Sequence, residues 1–275
     1  MAGGKEKKRL DVLLIENKLV VTRSRARAEI MAGNVFVDGK KKDKPGDVVS
    51  SGATIELRGN KNPYVSRGGL KLKKALEEFA VNLAGKIVLD IGASTGGFTH
   101  CSLEHGAGKV YALDVGYGQL AWELRNDPRV ISMERINVRN LKKEDLSERP
   151  DLATIDVSFI SLRKVFPVVA SLSIKEVICL VKPQFEAAPG QVGKKGVIRD
   201  IAVHQEVLRG VVKAAQDLSY TVKGLTYSPV KGPQGNIEFF LYLVKNGEEK
   251  QAEQEKEKDC RVLINDVVFQ AHSFL

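Results

Sequence analysis

Leu10, Leu13, Leu14 and Leu19 recur near helical spacing and predict a first helix over residues 8–19. A second helix runs through Ala28, Ile30 and Met31, capped by Thr22 or Ser24 and stopped at Gly33. Val35–Val37 reads as a short strand, Asp38-Gly39 as a hairpin turn, Lys40–Lys44 as a basic loop and Ala53–Leu57 as a closing strand. These elements make a compact α+β module over residues 1–58. Residues 59–66, with Gly, Asn and Pro in and around them, read as a linker to a domain over 67–275. That domain opens with a helix over Arg67–Phe79. Short apolar runs then alternate with helical stretches: Ile87–Ile91, Val110–Asp114, Val130–Met133, Leu152–Val157 and Val177–Val181. Such alternation predicts an α/β fold, a parallel sheet covered on both faces. Lys223–Tyr227 and Ile237–Val244 read as an antiparallel pair closing that sheet. Residues 246–259 form a charged linker or exposed helix, and 262–275 are apolar enough to dock back on the body.

Composition narrows the class. Of 275 residues, 43% are hydrophobic and 28% charged, ordinary for a soluble globular protein. No window is apolar enough for a membrane span, and no secretory signal follows the basic start, so a cytoplasmic protein without stable membrane association is expected. Cys101, Cys179 and Cys260 share no metal-ligand spacing, and the first two sit in apolar runs as buried thiols would. The net charge of +9 is uneven: residues 1–75 hold 18 Lys and Arg against 8 Asp and Glu, while the remaining 200 residues balance to within one charge. That asymmetry points to a polyanionic partner, nucleic acid or an anionic membrane surface.

The first strand runs into Asp90-Ile-Gly92-Ala93-Ser94-Thr-Gly96-Gly97-Phe98, a glycine turn opening a helix that lets backbone approach a ligand. Asp90 at the strand end repels a pyrophosphate but suits a sulfonium or amino group. Asp114 ends the second strand, where an acidic residue reaches ribose hydroxyls. No Gly-Lys-[Ser/Thr] phosphate loop is present. S-adenosylmethionine therefore fits better than a dinucleotide or a nucleoside triphosphate. Asn137 and Val138 are candidate adenine neighbours, and Asp156 reaches the same cofactor site. Lys71, Asp156, Lys182 and Glu238 are polar residues at the ends of apolar elements, where open α/β sheets bind ligands. A lysine after Ile178-Cys-Leu-Val is costly without a partner. Loop 184–200, glycine-rich and basic at Lys194-Lys195, reads as a cover for RNA or a connector. The lone Trp122 reads as a packing residue.

Residues 9–57 resemble an S4-type RNA-binding domain in Arg9-Leu10-Asp11, in Ser24-Arg25 with Ala28, and in Gly33-Asn-Val-Phe-Val-Asp-Gly39. The resemblance makes Arg9, Arg23, Arg25, Arg27, Lys40, Lys41 and Lys42, with Arg67 beyond the linker, candidate RNA contacts. Lys71, Asp156, Lys182 and Glu238 resemble the Lys–Asp–Lys–Glu tetrad of FtsJ-type ribose 2′-O-methyltransferases. The runs SRGGLKL, DIGASTGGFT, DVSFISL, VKPQFE and GNIEFF, fused to an S4 module, resemble the TlyA family, often labelled haemolysin A. This resemblance implies a Rossmann-like methyltransferase sheet, S-adenosylmethionine as cofactor, and methylation of a cytidine 2′-hydroxyl in ribosomal RNA, with ribosomal subunits as partners. It also keeps two alternatives in view: a non-catalytic RNA-binding assembly factor and a membrane-active haemolysin.

Overall fold

The computed structural model describes residues 6–20, 22–31, 33–58, 62–232, 234–246 and 253–275. Residues 59–61 of the linker and 247–252 of the charged run lie outside them. The chain divides into two compact units, Met1–Lys61 and Asn62–Leu275.

In the first unit the order is β1 (Lys7–Arg9), α1 (Leu10–Glu16), α2 (Arg23–Met31), β2 (Val35–Val37), β3 (Lys40–Lys42), β4 (Val48–Ser50) and β5 (Ile55–Leu57). Strand β2 sits between β3 and β5, antiparallel to both, and β1 pairs antiparallel with β4. Leu10, Leu13 and Leu14 from α1, Ala26 and Ile30 from α2, and Val35 and Val37 from β2 bury one core. Thr22 caps α2, its Oγ1 accepting from the Arg25 N–H at 3.2 Å. The hairpin turn is as expected: Asp38 and Gly39 both have positive φ, 49° and 77°, as a type I′ turn requires. Two expectations are corrected. Lys40–Lys42 is a strand paired with β2 rather than a loop, and the edge pair β1–β4 had no sequence signal. Three-residue strands of mostly charged side chains carry no alternation to read.

The second unit contains α3 (Gly68–Glu78), β6 (Ile87–Ile91), α4 (Gly97–Glu104), β7 (Lys109–Asp114), α5 (Trp122–Arg125), β8 (Val130–Glu134), β9 (Leu152–Ile155), α6 (Leu162–Ser171), β10 (Glu176–Val181), α7 (Pro183–Glu186), α8 (Ile201–Gln216), β11 (Tyr220–Tyr227), β12 (Phe239–Lys245) and α9 (Glu253–Phe274). One seven-stranded sheet has the order β11-β12-β10-β9-β6-β7-β8. Strands β8, β7, β6, β9 and β10 are parallel, and β12 joins antiparallel to both β10 and β11. The strand order reverses between β6 and β9, the switch point at which such sheets open a ligand crevice.

Successive strand residues face opposite layers. Leu89, Ile91, Tyr111, Leu113, Ile155 and Cys179 pack with α6, α8 and α9. Val88, Val110, Ala112, Leu152, Ile178 and Leu180 pack with α3 and α4. Each fully buried Leu, Ile or Val there contributes roughly 1.5–3 kcal/mol of burial. Residues 62–66, expected in the linker, pack on this unit: Tyr64 is buried against Gly69, and the Val65 N–H donates to His100 Nδ1 at 3.2 Å. Cys101 and Cys179 are free and buried. Trp122, expected to pack, is instead 78% exposed. It opens the four-residue helix α5, whose buried residue is Leu124, so its ring faces solvent. No helix among the described residues is long and apolar enough to cross a membrane.

Candidate active site

Two strands stop one residue short of a candidate side chain, one at its end and one at its start. Strand β9 stops at Ile155, so Asp156 stands just beyond it, and β12 begins at Phe239, so Glu238 stands just before it. Lys182 follows β10 and precedes Pro183, which opens α7. These boundaries correct the expected strands 152–157 and 237–244. They also place Asp156 and Glu238 at the last backbone pairings, the Asp156 N–H donating to the Ile91 carbonyl at 2.9 Å and the Glu238 carbonyl accepting from the Ser228 N–H at 2.8 Å, where a side chain can meet a ligand.

A cavity of about 750 Å³ opens at these strand ends, within the range of small-molecule sites. Of the candidate cofactor residues, Gly92, Asp114, Asn137, Val138 and Asp156 line it. Leu113, Val115, Ile136 and Val138 supply apolar wall, and the exposed Arg139 and Lys164 lie at its rim. Gly92 is required twice over: its φ is +89°, and a Cβ would lie 2.4 Å from the Asp156 carbonyl oxygen. Asp114 holds the loop in place. Its Oδ2 accepts from the Ser94 N–H at 2.8 Å and its Oδ1 from the Gly116 N–H at 2.7 Å. Each oxygen retains a lone pair for a further donor.

The other candidates of the glycine loop do not line the cavity. Asp90 is fully buried and accepts from Thr99 Oγ1 at 2.7 Å and Thr154 Oγ1 at 3.0 Å. Burial pushes its carboxyl up to about 7, the two hydroxyls opposing that rise. It therefore fastens α4 and β9 to β6. Ala93 and Phe98 belong to the α3–α4 core. Gly96 is the left-handed N-cap of α4, Gly97 packs on Ser66, and Ser94 is exposed.

The four tetrad candidates form two ion pairs. Lys71 Nζ lies 2.5 Å from Glu238 Oε2, with both side chains almost out of solvent. Lys182 Nζ lies 2.6 Å from Asp156 Oδ1. The alignment of that contact is too poor for a hydrogen bond, so Asp156 Oδ1 remains a buried acceptor without a donor. Lys182 donates instead to Ser158 Oγ at 3.0 Å. The two pairs sense each other. Burial pushes the Glu238 carboxyl above its usual range, Lys71 and then Lys182 hold it down, and Asp156 adds to the rise. Glu238 Oε1 is a second buried acceptor without a hydrogen-bond donor.

Further residues complete the site and carried no individual signal in the sequence. Phe159 is 91% exposed, with φ +62° and its ring 5.0 Å from that of Phe185; both line the cavity. Asn236 is buried and spans loop 184–200, accepting from the Ile198 N–H at 2.9 Å and donating to the Gly196 carbonyl at 2.8 Å. Ser158, Phe159 and Asn236 all fall inside the runs DVSFISL and GNIEFF, so the signal was the run rather than the residue.

In the first unit, Arg9 and Arg23 converge on one buried carboxylate. Asp11 accepts from Arg9 Nε and Nη2 at 3.0 and 3.1 Å and from Arg23 Nε at 3.1 Å. Those bonds hold its carboxyl below the usual range, Arg9 first. Both guanidinium groups stay about half exposed. Arg25 pairs with Glu29 and Lys42 with Asp47, while Arg27, Lys40 and Lys41 are exposed. Arg67 is an exposed residue of the second unit, at the N-cap of α3.

Comparison with known proteins agrees with this division. Residues 64–245 match the FtsJ-like methyltransferase family and residues 8–55 the S4 domain. A Bacillus subtilis protein, YqxC, described as a candidate rRNA methyltransferase, is 48% identical over 98% of this chain and 96% of its own. The Mycobacterium tuberculosis 16S/23S rRNA (cytidine-2′-O)-methyltransferase TlyA is 44% identical over 86% of this chain and 89% of its own. A solved structure from Streptococcus thermophilus, described as a candidate hemolysin, is 44% identical, covers 98% of each chain and superposes with a TM-score of 0.76. With the family match spanning most of the second unit and such relatives along nearly its whole length, this chain belongs to the FtsJ-like methyltransferase family and carries an S4 domain.

Proposed function

We propose that this protein transfers a methyl group from S-adenosylmethionine to the ribose 2′-hydroxyl of a cytidine in ribosomal RNA, with the S4 unit gripping the RNA. The observation that carries the reading is the pair of Lys–carboxylate contacts beside a nucleoside-sized cavity with two carboxylates in its lining. The relative named as a cytidine-2′-O-methyltransferase of rRNA supports the choice of acceptor.

The cavity's chemistry fits the cofactor. Its apolar wall at Val115, Ile136 and Val138 suits a flat purine, and Asp114 suits ribose hydroxyls. Asp156, with an acceptor lacking a donor, suits a cationic amino acid moiety or an incoming hydroxyl. When bound, S-adenosylmethionine supplies an electrophilic methyl group on a sulfonium.

The protein's own part is to position and polarise the acceptor. Lys182 carries three N–H donors. Its hydrogen bond goes to Ser158 and its charge sits against Asp156, so a remaining N–H can reach the 2′-oxygen. Placed there, the hydroxyl finds a positive charge on its oxygen and Asp156 Oδ1 as an acceptor for its proton. Lys71 adds a second positive charge, held by Glu238, against the charge developing on oxygen. The exposed ring of Phe159, backed by Phe185, offers a stacking face to an unstacked base. In the first unit, closely spaced Arg and Lys side chains bind phosphates and release counterions.

The test is incubation of rRNA and intact ribosomal subunits lacking the modification with this protein and S-adenosylmethionine, followed by nuclease digestion and mass spectrometry. The expected product is 2′-O-methylcytidine. Methylation confined to a base, or none on any rRNA despite cofactor binding, contradicts the reading.

A further inference from the structure

Glu186 ties together the two strand-end segments that carry Asp156 and Lys182, and the proposed reaction gives it no part. It ends α7, four residues after Lys182, and its side chain is only 2% exposed. Its Oε2 accepts from Ser161 Oγ at 2.6 Å and its Oε1 from the Leu162 N–H at 2.7 Å. Those donors are consecutive residues where the segment after β9 enters α6.

The result is a closed ring of contacts. Segment 156–161 is fastened to segment 182–186 at one end by Lys182 on Asp156, at 2.6 Å, and at the other by Glu186 on Ser161. Between these ties, Ser158 accepts from Lys182 at 3.0 Å, and Phe159 holds a left-handed φ of +62° with its ring on Phe185. Helix capping accounts for only one of its two bonds: the Leu162 N–H is an orphan donor at the start of α6, whereas the Ser161 hydroxyl is a side-chain donor outside the helix backbone. Ser161 already caps α6, its Oγ accepting from the Arg163 N–H at 3.2 Å. Keeping a carboxylate out of water is costly, and its ion-pair contact with Arg163 is long, at 4.0 Å. Burial accordingly pushes Glu186 above the usual range, opposed by Ser161 and Leu162. What Glu186 adds is a link between two segments that are neighbours in space and 25 residues apart in sequence.

We infer that Glu186 is a positioning residue for methyl transfer, holding segment 156–161 against 182–186 so that Lys182 keeps its contacts with Asp156 and Ser158. This inference rests on the assignment of Asp156 and Lys182 to the reaction. Glu186 is not among the residues that line the cavity.

The test compares wild type, Glu186→Gln and Glu186→Asp as full-length protein. Gln keeps an acceptor for Leu162 and a polar group facing Ser161, whereas Asp is one methylene too short to span the gap. Three quantities are read: kcat and KM for rRNA, S-adenosylmethionine affinity by calorimetry, and hydrogen exchange over residues 156–163. For Asp, kcat is expected to fall on the order of 10- to 100-fold, cofactor affinity to stay within about threefold, and Leu162 to exchange faster. Gln is expected to retain kcat within about fivefold of wild type. An Asp variant with wild-type kcat overturns the inference. So does a Gln variant as slow as Asp, or parallel losses of kcat and cofactor affinity in both. An inactive wild type that still binds cofactor overturns the functional assignment and this inference with it, whereas an active wild type with unaffected variants overturns this inference alone.

Discussion

Asp90 and Glu238 are both carboxyls that burial drives toward the neutral form, and their partners give them different tasks. Glu238 has an ammonium at 2.5 Å and belongs to the charge network of the site. Asp90 has two hydroxyls and no cation among its hydrogen-bond partners, so it titrates near neutrality, at about 7 against an ordinary 3.8. A raised carboxyl value means that the folded state holds the proton in a range where the unfolded state has released it. Stability from this group is therefore present at low pH and lost as pH rises from about 4 to 7. Asp90→Asn keeps the shape and a partner for each threonine but removes the titration. The variant should gain on wild type in melting temperature between pH 5 and pH 8. A difference between the two proteins that stays constant over that range contradicts the account. Asp90 stood out in the sequence because it ends an apolar strand beside a glycine turn, and that pattern suggested a cofactor contact. That it fastens the turn was not legible, because its partner Thr154 lies 64 residues away.

Helix α9 returns to the body at α8, and a histidine pair lies at the junction. His204, fully buried on α8, has Nδ1 2.8 Å from His272 Nε2 on α9. Burial lowers His204 to about 4, with His272 adding to the fall and Asp200 opposing it. The unfolded chain thus binds this proton between about pH 6.5 and pH 4 while the folded chain does not. Stability from the pair is complete above that window and is lost as pH falls through it. His204→Gln should flatten the drop in melting temperature between pH 7 and pH 5, and parallel curves for the two proteins contradict this. The docking of 262–275 was legible from its apolar content; the histidine pair was not, since the two lie 68 residues apart. The same contrast holds across the elements. The parallel strands were readable as nearly continuous apolar runs, because both their faces are covered. Strands β1 and β3 were not readable because Lys7–Arg9 and Lys40–Lys42 are charged and very short, and β4, Val48–Ser50, because three residues show no period. Lys71, Asp156, Lys182 and Glu238 stood out as charges at the ends of apolar elements, whereas Glu186, Ser158 and Asn236 acquire their roles from contacts between distant segments.

The whole molecule couples a basic unit to a catalytic one. The observed boundary redistributes the charge read from sequence: residues 1–61 hold 14 Lys and Arg against 8 Asp and Glu, and Arg67, Lys71, Lys73 and Lys74 belong to the second unit. Binding of rRNA should weaken linearly in log affinity against log salt, as phosphate contacts release counterions. Asp11→Ala frees Arg9 and Arg23 from their shared anchor and should reduce that slope by up to about 2, one for each guanidinium that loses its aim. An unchanged slope in filter binding at several salt concentrations removes these two arginines from the interface. The proposal gives the cofactor to the cavity and the transfer to the Lys–Asp–Lys–Glu group, and Lys182→Ala separates the two. Its S-adenosylmethionine affinity and its single-turnover rate on unmodified rRNA would be measured side by side with wild type. The variant is expected to keep affinity within about threefold and to transfer more slowly by a factor on the order of 10³ or more. A variant that binds the cofactor and transfers at the wild-type rate contradicts the proposal.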